Sequence, residues 1–259
     1  MLDCHTDPNY GKDTTPYIIK GRNKASTHRA FWYMTLLWAN APKPITLGVK
    51  LMQHPRQFYQ DSQEVLAPWL TTEQIIYVLA DGDYYNWDLV RWLQSQGVSF
   101  IIRGQINHGV KPLVAAYQEE LQLPNNGSIV PYLMKQGHRK TPCPVKLLLW
   151  REHTALLAFV LPPTSQLSAR EARTLYRHRF IIETYYRMMH RFQPFSCSQH
   201  PNIRYILVCL AFWLCNLWCY FKAPLNMLKN VSRRAFADKT YPAKLFCEYV
   251  YESWLISIR

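Results

Sequence analysis

Acidic residues are scarce in this chain. Seventeen Asp and Glu face 30 Lys and Arg across 259 residues, a formal charge of +13 at pH 7. That shortage points away from basic partners and towards a polyanion, of which nucleic acid is the commonest and an anionic membrane the other candidate. Cysteine pairs are missing too. The seven cysteines are odd in number and contain no CxxC pair, which argues against a disulfide framework and for a reducing compartment. Cys197 and His200 form one C-x-x-H, at most half of a zinc site. No internal repeat and no low-complexity tract is visible. Asp3, His5 and Asp7 interrupt any apolar run at the start, so no signal peptide is expected there.

What is present is a core-forming composition. Hydrophobic residues make up 49% and aromatics 14%, enough for a substantial core rather than disorder. The longest apolar run, residues 205–221, lies near the lower length limit for a membrane span. It contains Asn216 and lies between Arg204 and Lys222, so a buried core helix is the expectation.

The patterning predicts a mixed α/β sheet. Met1 to His5 reads as the end of a strand, followed by a turn at Pro8-Asn9-Tyr10-Gly11. Residues 30–39 and 45–52 form an expected hairpin through the Pro-rich turn at 40–44. A helix is expected near 62–70, capped by Asp61 or Ser62. A short strand at 75–80 ends at Asp81, Asn86 opens a helix stopped by Gly97, and 99–103 is another strand. Residues 104–165 read as a β-rich insertion with a hairpin around Arg151-Glu152-His153. Ser168 and Glu171 form a capping box for a helix reaching about Phe192. Pro201 opens the apolar helix, and a basic tail starts at Pro224. The expected division is 1–103 and 166–223 as one core, 104–165 as the insertion and 224–259 as the tail.

The helix after Ser168 carries the chemistry. At about 100° per residue, Tyr176, Arg179, Glu183, Arg187 and His190 fall within roughly 40° of Glu183. The bland reading is a solvated ladder of ion pairs. Asp3 and Asp81 sit at strand positions where an open sheet exposes its sites. Three carboxylates meeting there would bind hard cations such as Mg²⁺ or Mn²⁺. Asp7 and Asp83 stand as alternatives to Asp3 and Asp81.

These residues resemble the DDE transposases of bacterial and archaeal insertion sequences with a Tyr-x2-Arg-x3-Glu-x6-Lys signature. Tyr176, Arg179 and Glu183 match three of the four positions, and His190 stands at the fourth. Asp81 lies in a stretch similar to the family's Asp-Arg-Gly-Phe-Tyr element, and Asp3 precedes a Pro-Tyr-Tyr-Gly-like turn. A proline after the signature helix and Asn216-Leu217-Trp218 complete a likeness over roughly residues 1–223.

The resemblance implies an RNase H-like fold with a β-rich insertion before the last catalytic helix. It also implies DNA cut at transposon ends and joined to target DNA by two-metal phosphodiester chemistry. Asp3, Asp81 and Glu183 would hold two Mg²⁺ or Mn²⁺ ions. Tyr176, Arg179, Arg187 and His190 would lie against DNA, with Arg187 compensating for a histidine shorter than the usual lysine. The implied partners are transposon-end and target DNA and a second copy of the chain, with no membrane. The implied location is the cytoplasm, at the nucleoid. Two residues ahead of Asp3 suit a shortened copy of low activity, or a non-catalytic DNA-binding remnant.

Overall fold

The computed structural model describes residues 1–11, 15–24, 27–39, 44–70, 77–121, 125–135 and 141–227. Residues 40–43 of the turn expected at 40–44, the Gln136-Gly137-His138 break and nearly all of the basic tail lie outside them.

Nine strands among the described residues form one mixed sheet, in the order β2-β3-β1-β5-β6-β9-β8-β7, with β4 also on β3. The strand β1 (Leu2–Pro8) pairs antiparallel with β3 (Thr27–Trp38) from Leu2↔Leu36 to Pro8↔Ala30. On β3's other edge, β2 (Ile18–Lys24) takes the first half and β4 (Ile45–Leu51) the second. Helix α1 (Phe58–Leu70) leads to β5 (Val78–Ala80), and α2 (Trp87–Ser95) leads to β6 (Phe100–Gly104). β5 runs parallel to both β1 and β6. Its three residues are apolar and buried, as a strand covered on both faces requires. After the short α3 (Lys111–Ala116), the strands β7 (Asn126–Met134), β8 (Cys143–Glu152) and β9 (Ala155–Leu161) form a meander. β9 joins β6 antiparallel, so these strands extend the sheet.

Side-chain alternation along β3 divides the core. Met34 and Leu36 face the layer of α1 and α2. Phe31, Tyr33 and Leu37 face the opposite layer, made by α4 (Ala169–Arg177), α5 (Ile181–Met189) and α6 (Pro201–Met227). α6 buries Val208, Ala211, Phe212, Cys215 and Trp218, and exposes Ile203, Ile206, Leu210, Trp213 and Tyr220. By length and composition its Pro201–Tyr220 stretch could cross a bilayer. Here one face is packed on the sheet and the other stays exposed, so the helix is less buried than the core helix expected. Asn216 Oδ1 accepts from the Thr46 N–H (2.8 Å), its Nδ2 donates to Thr46 O (2.9 Å), and the Tyr205 hydroxyl donates to Val49 O (2.7 Å).

Four expectations need correction. β1 does not end near Asp3: Asp3 is its second residue, and the strand continues to Pro8 because His5 and Asp7 share the α5–α6 face with it. α1 begins at Phe58 rather than beside Ser62, because a 3₁₀ turn at Pro55–Gln57, capped by the His54 side chain, starts the helical run early. Asp61 and Ser62 are buried inside it. Asp61 meets Lys50 at 2.8 Å, and Ser62 Oγ donates to Phe58 O. The helix from Ser168 is broken by a 3₁₀ turn at His178–Phe180 into α4 and α5. Finally, α6 runs past Pro224 to Met227.

Candidate active site

One register pair positions the site. β1 and β5 meet in parallel at Leu2↔Ala80, so the next residues, Asp3 and Asp81, are neighbours on adjacent strands. β5 stops there and β1 continues, which leaves β1's edge open towards a cleft. This is where the chain leaves β1 on one side and returns through β5 on the other, the switch point at which open sheets place ligands. Asp81 turns into a short 3₁₀ segment, with its Oδ1 accepting from the Gly82 N–H at 2.7 Å.

The third acid arrives on α5. The hydroxyl of Tyr186 bonds to Thr35 Oγ1, which donates to the carbonyl of Asp3 (3.1 Å). That link fixes α5 over β1. The 3₁₀ turn then delivers Arg179 into the gap between the acids. Its guanidinium lies 3.3 Å from Asp3, 3.5 Å from Asp81 and 3.8 Å from Glu183. The side chains open progressively to solvent: 6% exposed for Arg179, 17% for Asp3, 35% for Asp81 and 54% for Glu183.

Burial pushes the Asp3 carboxyl up to about 6, against the pull of Arg179 and with a further push from Asp81 and Glu183. For Arg179 burial works against the charge, but Tyr176 and the three acids outweigh it and push the guanidinium up. Among the described residues, no three acidic, cysteine or histidine side chains stand close enough to hold a metal ion as they are placed. The three carboxylates share one guanidinium instead. Their chemistry still suits a hard divalent cation: oxygen donors only, converging on one positive centre at a cleft.

The remaining sequence candidates fall in different places. Tyr176 is only 3% exposed and packs on Phe159, with ring centroids 4.6 Å apart. Burial pushes its hydroxyl up to about 12. It supports Arg179, whose guanidinium lies 5.8 Å from its ring. The 3₁₀ turn steps about 120° per residue rather than 100°, so the charged stripe of α5 does not continue along α4. Arg187 is exposed and donates to Glu183 O (3.4 Å) and Thr184 Oγ1 (3.3 Å). His190 is exposed, 4.8 Å from the His5 ring, with Nδ1 3.0 Å from Gln193. Asp7 lies away from the cluster, paired with Arg204 at 2.7 Å. Asp83 lines the cleft beside Asp81.

That cleft, about 780 Å³, is also lined by His28, Arg29, Trp32 and Arg103. Arg103 approaches Asp81 at 4.0 Å. Sequence reasoning missed both arginines. The signal for Arg103 was available, since it closes its strand as Asp81 closes the neighbouring one. Arg29 gave no such signal, because its position depends on how β3 pairs with β1.

The sequence profile of the family described as "Transposase DDE domain" matches residues 53–207. No curated protein matches the chain. Among solved structures, the fold is similar to that of a piggyBac transposase, solved by cryo-EM as a synaptic complex with hairpin DNA. The TM-score is 0.65 at 9% identity, over 95% of this chain and 50% of the other. The chain thus spans about half the length of that relative.

Proposed function

Because the chain belongs to the family of DDE transposase domains, we propose that it is the catalytic part of a DNA transposase of an insertion sequence, which cuts transposon ends and joins them to target DNA. The observation that carries this reading is the meeting of Asp3, Asp81 and Glu183 around one cation at the open edge of β1. In this reading the fold is RNase H-like and the three acids hold two Mg²⁺ or Mn²⁺ ions. Such ions activate an attacking hydroxyl and stabilise the leaving oxygen of a phosphodiester.

The protein's own groups supply position and charge. The Asp81–Gly82 bond fixes one carboxylate at the strand end, and the Tyr186–Thr35–Asp3 link sets the height of Glu183 above it. Arg29 and Arg103 line the cleft and in this reading meet a backbone phosphate there. Arg187 adds a cation in the last turn of α5, and His190 caps that helix. A second copy of the chain would hold the other transposon end, giving a dimer on DNA.

The test is Mn²⁺-dependent nicking of supercoiled DNA by wild type and Glu183→Gln. Nicking lost in the variant, with the variant still folded, supports the reading. Salt-dependent DNA binding with no nicking by either protein favours the non-catalytic remnant instead.

A further inference from the structure

We propose that Arg179 is a resident counter-ion that keeps divalent metal out of the acid cluster until DNA phosphate draws its guanidinium away. The proposal rests on the reading of Asp3, Asp81 and Glu183 as the metal-holding acids. A dication needs the same carboxylate oxygens that Arg179 contacts, at about 2.0–2.6 Å. The guanidinium and the ion cannot both occupy that space.

The contacts are loose enough to give way. Only the Asp3 contact, at 3.3 Å, has hydrogen-bond geometry. The approaches to Asp81 (3.5 Å) and Glu183 (3.8 Å) are electrostatic, and a bond at such lengths is weak. Arg179 Nε is buried and has no hydrogen-bond partner among the described residues. This is not the paired fork that makes arginine–carboxylate contacts strong. The guanidinium neutralises the acids while leaving one of its own donors unsatisfied, at a cost.

An exit is also visible. The guanidinium lies 5.4 Å from the ring of Phe180, which is 48% exposed. That distance is already a cation–π contact, so the half-exposed ring lets the guanidinium keep one contact while it moves towards solvent. A phosphate on that side would compensate the charge that leaves the acids. The acids, once uncovered, gain affinity for a dication. Metal and DNA therefore favour each other's binding, and linkage requires the gain to be equal in both directions.

The experiment is Mn²⁺ titration by calorimetry, with and without a 30-base-pair duplex, whose own Mn²⁺ uptake is measured separately and subtracted. It uses wild type, Arg179→Met and Glu183→Gln. Without DNA, Arg179→Met is expected to bind Mn²⁺ about tenfold more tightly than wild type. Wild type is expected to gain about fivefold or more in Mn²⁺ affinity when DNA is added, and the variant to gain nothing. Coupling in wild type needs no variant, so its absence overturns the proposal even if Arg179→Met fails to fold. Mn²⁺ binding that Glu183→Gln abolishes but Arg179→Met leaves unchanged overturns this proposal alone. No Mn²⁺ binding by wild type in either condition overturns the metal reading of the acids as well.

Discussion

Asp3 keeps its charge in a place that resists it. Burial pushes the carboxyl up to about 6, well above an ordinary aspartate. The folded state therefore holds the Asp3 proton more tightly than the unfolded chain does. The stability this contributes is fully present below about pH 4 and is lost as pH rises through about 6. At pH 7.5 the ionised side chain costs the fold about 3 kcal/mol. Asp3→Asn is expected to raise the melting temperature by about 6 °C at pH 7.5 and to give no gain at pH 3.5, read by circular dichroism. A gain equal at both pH values would rule out ionisation as its source. Asn216 has the opposite character, since its polar atoms are satisfied. It accepts from the Thr46 N–H, donates to Thr46 O, and accepts from the Tyr185 hydroxyl at 2.5 Å. Asn216→Leu strands three polar partners against an apolar side chain. The expected loss is about 3 kcal/mol in urea unfolding. A loss under about 1 kcal/mol would mean that water replaces the amide at low cost.

At the scale of elements, the parts written in local chemistry were legible. Asn86 caps α2, Gly97 stops it at φ +68°, and Ser168 with Glu171 forms a complete capping box on α4. These signals need only a few neighbouring residues. Ser168→Ala is accordingly expected to cost about 1 kcal/mol, measured by urea unfolding; no change would place the start of α4 under tertiary control. The start of α1 was missed because it follows from His54 and Pro55 ahead of the apolar pattern. The 3₁₀ turn at His178–Phe180 was missed because 3.6-residue periodicity fits the sequence on both sides of it. Yet that turn takes Tyr176 into the core and aims Arg179 at the acids. The three acids could be named from sequence in order. Their meeting was expected as well, but not the contacts that bring it about, because these depend on the Leu2↔Ala80 register and on Tyr186 reaching Thr35, both made by residues far apart in the chain.

Across the whole molecule, the excess of positive charge and the three acids impose opposite demands. A formal charge of +13 favours a polyanion such as the DNA of the proposed function, whereas carboxylates beside the cleft repel a phosphate. Arg103 and Arg179 lie within 4.0 Å of those carboxylates, and Arg29 lines the far part of the same cleft, so the repulsion is countered where a phosphate backbone would come closest. Binding that depends on such charge releases condensed counterions and weakens as salt rises. With about three phosphates neutralised, affinity for a 30-base-pair duplex is expected to fall more than about tenfold between 50 and 200 mM salt. Fluorescence anisotropy would read it. Arg103→Ala should reduce the slope of log affinity against log salt by about one, and uniformly across sequences, as a phosphate contact does. An unchanged slope would place the phosphates elsewhere on the surface, and Arg103 would then serve only to hold Asp81.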